Sequence, residues 1–472
     1  MSQRRAGSGR GADGSDRPLA RSVSNGSIAP LYKRLPRGPH RLAPSEVARH
    51  QRMRMHGAMV EAVAANGYAG TSVKQIIGLA GVSRRSFYEQ FANKQECFLA
   101  TFDLIAARGA RRVNSAYLAA SGEPAERLHA SLDACTESVC ANTKTAVLAI
   151  VEAQTAGAMG LVHLRRASIT FERMLCESFA RAHADDRLPA PVARAIVGGM
   201  HGAISMRLSA GRAREVPELS EDLLDWTLLQ RAPGVGRIST VPRTRGPAGS
   251  VAAGSLSTNG LLNSTPVAGE ELRERLQRSV VELAASEGYE QLSPPQIAER
   301  EGVSVEAFYE LFGSKEECFL AAFDRLGAEL LDLVAEQDML RTEWLRAMPQ
   351  ALRALLGALA EHPVHAQTIA CVAPGAGPNA FARSVGLSRD LAGLLTRDAP
   401  YAPSNALITD CVAGAIWHTV RCQVASRQIH LLPALVDALA YVVLAAFAGA
   451  ETAAEVVIEW RAQMEARGPA SI

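Results

Sequence analysis

The sequence contains one long internal repeat, and this repeat limits the folds available to the chain. Residues 66–103 and 287–324 align without a gap at an offset of 221 positions. The identical residues of the first copy include Gly67, Tyr68, Ile76, Gly81, Val82, Ser83, Phe87, Tyr88, Glu89, Phe91, Lys94, Glu96, Cys97, Phe98, Leu99, Phe102 and Asp103. Because agreement of this density does not arise by chance, we expect two units of the same fold.

A weaker match between the two halves lies near the end of each. Residues 202–204 match 414–416, and Leu223 and Asp225 match Leu435 and Asp437, now at an offset of 212. The sequence between the strong and the weak match differs between the two halves in length and in residues. Each half is therefore predicted to hold an N-terminal module followed by a larger and more variable part.

The composition favours an all-α chain of several domains. A length of 472 residues exceeds what one compact core holds. Long stretches rich in Ala, Leu, Glu and Arg, with few β-branched runs, favour helix over strand. The predicted segments are a disordered basic arm (1–43), a helix-turn-helix domain (44–105), a helical ligand and dimerisation domain (106–231), a flexible linker (232–267), a degenerate helix-turn-helix module (268–326), a second helical ligand and dimerisation domain (327–465) and a tail (466–472).

The N-terminal arm is strongly basic. Up to Pro44 it holds nine Lys and Arg residues against two Asp residues, a net charge of +7. Such an arm can add phosphate contacts by releasing counterions, or it can serve only as a solubilising tail. The sequence leaves both interpretations open.

Several other classes of protein find no support in the sequence. The eight cysteines form no CxxC pair, which indicates small core residues in a reducing compartment. We see no GxSxG, no phosphate loop, no HExxH and no nucleotide fingerprint, so we expect no enzyme, no metal and no cofactor. The most apolar window, Ala438–Ala450, is short for a membrane span, and no secretory signal is seen. A cytoplasmic protein without a membrane partner is predicted.

Helix caps can be read directly from the first module. Ser72 to Gln75 forms a capping box, Gly81 suits a tight turn of positive φ, and Ser83 caps the helix that follows, predicted as 84–91. A long amphipathic helix, about 45–66, comes first. Two short helices joined by a glycine turn, with arginines at the start of the second, indicate a helix-turn-helix.

The same residues resemble a known family. Gly-Tyr-x-x-Thr-Ser-Val-x-x-Ile at 67–76, followed by Ala-Gly-Val-Ser-x-x-x-Phe-Tyr-x-x-Phe-x-Asn-Lys-x-Glu at 80–96, is similar to the DNA-binding signature of TetR/AcrR-type repressors. The resemblance implies a repressor that binds double-stranded DNA and is released by a small apolar effector. It does not indicate which residues hold that effector. The residues that it and the local chemistry assign to DNA are Thr71, Ser72, Lys74, Ser83, Arg84, Arg85, Ser86, Tyr88 and Lys94.

Physical chemistry supports these assignments in the first copy. Arg84, Arg85 and Ser86 open the second helix, where side chains meet base edges in the major groove. The helix capped by Ser72 presents free N–H groups to a phosphate, helped by Thr71 and Lys74. Ser83 caps the reading helix, and Tyr88 and Lys94 match family positions that touch the DNA backbone.

The second copy keeps the scaffold and loses the basic residues. Val305 and Glu306 replace the two arginines, and Pro294 and Pro295 remove N–H groups from the phosphate-binding helix. From residue 270 to 325 the net charge is −7, against +2 for residues 45–105. Since electrostatics dominates non-specific DNA affinity, we predict that only the first module binds DNA.

The late helices are predicted to join the two halves. Small residues (Gly198, Gly199, Gly202 and Gly414) allow helices of 195–229 and 408–447 to approach closely. The halves can form a pseudo-dimer within one chain, with or without further homodimerisation, or each half can pair with a second chain. Trp344, Trp417, Met174, Met200 and Met206 can line a pocket, but an apolar stripe at helical spacing favours core residues. His201 and His418 are interpreted as satisfied core histidines. The rival hypothesis is an interaction or sensor protein whose two modules no longer bind DNA.

Overall fold

The computed structural model describes residues 43–182, 188–231, 238, 268–337, 343–399 and 406–466. The basic arm up to residue 42, nearly all of the predicted linker and the tail from 467 onward lie outside the described residues. Every regular element of the described part is helical, which confirms the all-α class.

The first half contains ten α-helices within the described residues. They are α1 (Pro44–Gly70), α2 (Val73–Ala80), α3 (Arg84–Tyr88), α4 (Lys94–Ala119), α5 (Pro124–Ala141), α6 (Thr143–Ala146), α7 (Ala153–Thr155), α8 (Gly157–Ala182), α9 (Ala190–Ser209) and α10 (Leu219–Leu228). A π-helical turn (Val147–Glu152) joins α6 to α7. A short 3-10 turn (Ala213–Glu215) precedes α10.

The second half repeats this order. Its helices are α11 (Ala268–Glu287), α12 (Pro294–Arg300), α13 (Val305–Leu311), α14 (Lys315–Ala335), α15 (Trp344–Glu361), α16 (Pro363–Gln367), α17 (Pro378–Thr396), α18 (Ala406–Ala425), α19 (Val436–Ala448) and α20 (Ala450–Ala466). Its short turns are the 3-10 turns Tyr289–Gln291, Ala373–Gly375 and Ile429–Leu435 and the π-helical turn Thr368–Val372.

The two halves stay in register for longer than their identical residues do. The offset of 221 positions also superimposes α5 on α15, α6 on α16 and the first π-helical turn on the second. The lengths diverge only afterwards, where α8 has 26 residues and α17 has 19. Helix order therefore preserves the duplication where side-chain identity has faded.

The helix ends of the first module differ from the predicted ones. α1 runs from Pro44 and is interrupted at Gly67, whose φ of 67° suits glycine. α3 ends at Tyr88 instead of Phe91, because the chain tightens into a turn in which Gln90 N donates to Phe87 O at 3.0 Å.

Helices α9 and α18 hold the two halves together. The glycines predicted to permit close approach lie at this contact. A Cβ added to Gly414 would lie 2.6 Å from the Gly198 carbonyl oxygen, and one added to Gly198 would lie 2.7 Å from Cβ of His418. Larger residues at these positions would force the helices apart. The halves therefore pack on each other within one chain.

Polar contacts fix the register of this packing. Arg207 Nη1 lies 3.0 Å from Asp410 Oδ2, and both side chains are largely buried. The Tyr441 hydroxyl donates to Gln230 O at 2.7 Å, and Gln230 Nε2 donates to Val442 O at 3.3 Å. Buried hydrogen bonds of this kind select one arrangement, since their partners would be left unsatisfied in another.

The apolar segment near the end of the chain is longer than its predicted 438–450 window. The 3-10 turn Ile429–Leu435 runs directly into α19, so that 20 residues, Ile429–Ala448, are long and apolar enough to span a membrane. Of that window, 72% is buried inside the protein. In the structure this segment packs in the core, against α9, α15 and α20.

Candidate DNA interface and ligand cavity

The helix-turn-helix of the first module forms through the caps expected from its sequence. Ser72 Oγ accepts from Gln75 N at 3.3 Å, while Gln75 Oε1 accepts from Ser72 N at 2.8 Å. Gly81 takes φ 60° between the helices, and Ser83 Oγ accepts from Ser86 N at 3.0 Å. These contacts satisfy orphan N–H groups and set the angle between α2 and α3.

Six of the residues predicted to contact DNA are exposed on the first module. They are Ser72, Lys74, Ser83, Arg84, Arg85 and Tyr88. Arg85 pairs with Glu89 at 2.8 Å with both side chains exposed, and the Arg84 guanidinium lies 5.6 Å from the Tyr88 ring centroid. Because exposed ion pairs are weak, the arginines are free to exchange these partners for DNA.

Other predicted residues are engaged within the fold. Thr71 is buried, and its hydroxyl donates to Gly67 O at 2.7 Å, which holds the bend at the end of α1. Lys94 Nζ lies 4.4 Å from the Tyr68 ring centroid and donates to Tyr68 O at 3.1 Å. Both side chains thus stabilise the bend before α2.

The second module preserves these internal contacts. Lys315 Nζ lies 4.3 Å from the Tyr289 ring centroid and donates to Tyr289 O at 2.9 Å. Two further cations are matched between the modules. Arg52 lies over Phe91 and Arg273 over Phe312, while Arg54 donates to Gly81 O and Arg275 to Glu301 O, the carbonyls of matching turns. Cations that hold the scaffold are therefore kept in both copies.

Cations that face solvent are lost in the second module. The matched pairs are Arg49 and Glu270, Lys74 and Pro295, Arg84 and Val305, and Arg85 and Glu306. Hydrogen bonds to its own backbone N–H and to Ser304 hold the pKa of Glu306 below its ordinary value, so a carboxylate stands where the first copy has Arg85. The difference between the modules is concentrated on the outward face of the helix-turn-helix.

A cavity of about 930 Å³ lies inside the first half. It is enclosed by α4, α5, α8 and α9, and His418 of α18 reaches it from the second half. Its lining is mainly apolar, as is usual for sites that hold small organic ligands. Small residues leave the space open: Gly109, Ser131, Cys135 and Ser138.

Leucines occupy the matching positions of the second half. Leu330, Leu352, Leu356 and Leu359 stand 221 residues after those four small residues, and all are buried. Each adds several heavy atoms where the first half leaves space. The same helices thus enclose a cavity in one half and a leucine-packed core in the other.

The cavity wall connects directly to the first helix-turn-helix module. Ala149 and Ile150 of the first π-helical turn line the cavity, and Glu152 of the same turn accepts from Tyr68 N at 2.8 Å. Tyr68 follows the bend at Gly67, just before α2. At the matching position in the second half stands Ala373, which has no carboxylate. Only the first half has this carboxylate link.

This cavity was not predicted from the sequence. Met174 and Met200 line it, whereas Met206, Trp344 and Trp417 are buried in the core as predicted. His201 and His418 also line the cavity, and their ring centroids lie 5.9 Å apart. His201 was expected to be a satisfied core histidine. Its Nε2 instead finds no hydrogen-bond partner among the described residues, so this prediction was wrong.

Comparison with known proteins identifies the two modules. Residues 58–101 and 280–322 each match the family described as bacterial regulatory proteins, tetR family. One segment in each half of this chain therefore matches the family. The resemblance seen in the sequence is thereby confirmed for the degenerate copy as well as for the first. The members of this family are transcription regulators with a helical helix-turn-helix.

Solved structures similar to this chain cover a little over a third of it. The transcriptional regulator FadR from Bacillus subtilis, solved in complex with stearoyl-CoA, is 17% identical over 37% of this chain and 96% of its own, with a TM-score of 0.34. A tetR-family regulatory protein from Rhodococcus RHA1 is 20% identical over 38% of this chain and 95% of its own, with a TM-score of 0.29. No curated protein sequence matches the chain.

Proposed function

We propose that this chain is a cytoplasmic transcriptional repressor that reads DNA through its first module alone. Arg84, Arg85 and Ser86 meet base edges in the major groove. Ser72, Lys74 and Tyr88 contact the sugar-phosphate backbone beside them. Thr71, Ser83 and Lys94 contribute indirectly. The side chains of Thr71 and Lys94 hold the bend at the end of α1, and Ser83 caps α3, so that together they position α3.

The observation that carries this proposal is the selective loss of exposed cations in the second copy. Arg52, Arg54 and Lys94 have internal partners and are retained, whereas Lys74, Arg84 and Arg85 have none that the fold requires and are replaced. A protein with no use for DNA in either module has no reason to keep the exposed set in one of them. Counterion release on phosphate contact supplies that reason.

A small apolar molecule in the cavity of the first half is proposed to release the DNA. Space inside the cavity is bounded by the π-helical turn, and Glu152 ties this turn to the bend before α2. π-helical turns often mark sites where a helix changes register. A ligand that displaces the turn would move α2 relative to α3 and misplace Arg84 and Arg85.

The packed halves are proposed to act as one unit with a single DNA-binding module. Such a unit binds one half-site of a palindromic DNA sequence. Association of two chains would supply the second half-site, and the proposal does not depend on whether it occurs.

A gel-shift titration with the DNA upstream of the protein's own gene tests this proposal. Arg84→Ala with Arg85→Ala should weaken specific binding by about 2–6 kcal/mol, since each arginine contributes about 1–3 kcal/mol when it pairs with guanine. The matched control, Val305→Ala with Glu306→Ala, should leave affinity unchanged or slightly improved. Equal losses in the two double variants would contradict reading by the first module alone. No loss in either would favour an interaction or sensor protein.

A further inference from the structure

Two largely buried arginines lie beyond the His201–His418 end of the cavity: Arg421 is one turn after His418 on α18, and Arg194 is two turns before His201 on α9. Arg421 of α18 is in the second half, and its Nη1 donates to Gln154 Oε1 of the first half at 2.6 Å. Arg194 of α9 is largely buried beside α8 and α18. Within the described residues neither guanidinium has a carboxylate at ion-pairing distance, and the Nε atom of each has no hydrogen-bond partner.

The surrounding charges do not neutralise these arginines. Glu172 is the nearby carboxylate, and it is already paired with Arg165 at 2.7 Å and accepts from Ser168 Oγ at 2.9 Å. Burial lowers the pKa of Arg421 to about 10, so it keeps its proton at neutral pH. The group of three arginines and one glutamate therefore carries a net charge of about +2, where buried charges are normally paired.

Polar atoms connect this group to the cavity. His201, His418 and Ser168 line the cavity at this end. Burial and the neighbouring Arg421 lower the pKa of His201 to about 4. Burial, and after it the neighbouring His201 and the three arginines, hold the pKa of His418 well below its ordinary value. Both rings are therefore neutral at pH 7 and able to offer one N–H each.

The rest of the lining carries three further charged residues, Arg108, Arg112 and Glu137. Arg112 and Glu137 pair with each other at 3.4 Å and are about half exposed. Their charges cancel and are screened by solvent. Arg108 also lines the cavity, and no carboxylate among the described residues pairs with it, so it offers a second, single positive charge. The arginine group beyond His201 and His418 carries the larger uncompensated charge.

We propose that the cavity binds an amphipathic carboxylic acid, whose apolar body lies between α4, α5 and α8 and whose carboxylate lies at the His201–His418 end near Arg194 and Arg421. This inference rests on the proposed effector cavity and names its ligand class. It also assigns a role to the second half. His418 and Arg421 come from α18, so the site is completed by the half that does not read DNA.

Calorimetric titration of the full chain with decanoate and with its uncharged analogue decanamide tests the proposal. The two share the same apolar chain and differ in the charged group. We expect decanoate to bind about ten- to hundredfold more tightly, as charge-assisted hydrogen bonds exceed neutral ones by about that factor. Arg421→Met and Arg194→Met should each reduce this preference by about tenfold or more. Arg353→Met, at an exposed arginine of the same half, should leave the preference unchanged.

The ratio of the two affinities is measured within each variant, so a general change in stability cancels. Equal binding of acid and amide to the unchanged protein would overturn the proposal, as would a preference that survives both substitutions. If neither compound binds, the carboxylic acid is refuted. Release of DNA by another apolar molecule would then still support the effector cavity. Failure of the carboxylic-acid proposal can therefore be distinguished from failure of the effector-cavity proposal.

Discussion

The two halves of this chain share a fold and differ in what the fold contains. Both keep the cations that hold the helix-turn-helix together and the order of helices behind it. The first half adds exposed cations and an open cavity. The second half replaces the cations with Val305, Glu306 and proline, and fills the cavity positions with leucine. Cations with partners inside the fold have been maintained twice, and the exposed cations and the open cavity only once.

Truncating leucines in the core of the second half should produce the largest difference between the halves in the free energy of unfolding. Leu352→Ala and Leu356→Ala should each lower the free energy of unfolding by about 2–5 kcal/mol, because each leaves a cavity in a packed core. The matched substitutions Ser131→Ala and Cys135→Ala remove few atoms beside space that is already open, so they should lower it by less than about 1 kcal/mol. Denaturant titration measures both. Similar losses at matched positions would mean that the first half is closed in solution.

Placing leucines at the matching positions of the first half tests whether the cavity holds the effector, without a measurement of stability. Ser131→Leu, Cys135→Leu and Ser138→Leu together should fill it and abolish release of DNA by the ligand. DNA affinity without ligand should stay within about threefold of the original, which corresponds to roughly 0.6 kcal/mol. Retained ligand response in this variant would place the effector elsewhere. Leu330→Ile, a change of similar volume in the second half, is the control.

Gly414 tests whether the halves pack through α9 and α18. Gly414→Ala places a methyl group 2.6 Å from the Gly198 carbonyl oxygen, and overpacking of this kind costs about 1–3 kcal/mol. Gly393→Ala is the matched control. A Cβ at Gly393 in α17 meets no atom within 4 Å, so it should be neutral or stabilising by up to about 1 kcal/mol.

Crosslinking provides the second measurement for this interface. Crosslinks between 195–229 and 408–447 should form within one chain at low micromolar concentration and weaken in the Gly414→Ala variant. A stable dimer whose crosslinks join 195–229 only to the same region of another chain would refute internal packing.

Glu152 should give the smallest effect. Glu152→Gln keeps a hydrogen-bond acceptor near Tyr68 N but removes its charge, which amounts to about 1 kcal/mol. We expect the ratio of DNA affinities with and without ligand to fall by about fivefold. Glu123→Gln, at an exposed carboxylate before α5, is the control. An unchanged ratio would show that the π-helical turn does not connect cavity and module.

Local features of this fold could be predicted from sequence, and the reason is physical. The caps at Ser72 and Ser83 and the turn at Gly81 depend on residues three or four positions apart, so the sequence displays them directly. Thr71 and Lys94 show the limit of such patterns. Their positions were identified, but the partners that occupy their polar atoms come from the bend at Gly67 and Tyr68.

The cavity could not be predicted in the same way, because it depends on volumes from distant helices. One signal was nevertheless present. At the 221-residue offset, small residues such as Gly109 and Ser131 align with Leu330 and Leu352. This contrast becomes meaningful only once the helices are known to stay in register beyond residue 105, where few identities remain.

The packing of α9 on α18 has a consequence for how the protein responds to its own abundance. A regulator assembled from two chains forms in proportion to the square of its concentration when it is scarce, so a small drop in synthesis depletes the active form disproportionately. Partners joined by one backbone exist at every concentration. A cell holding a handful of these molecules keeps the same fraction of them paired as a cell holding thousands.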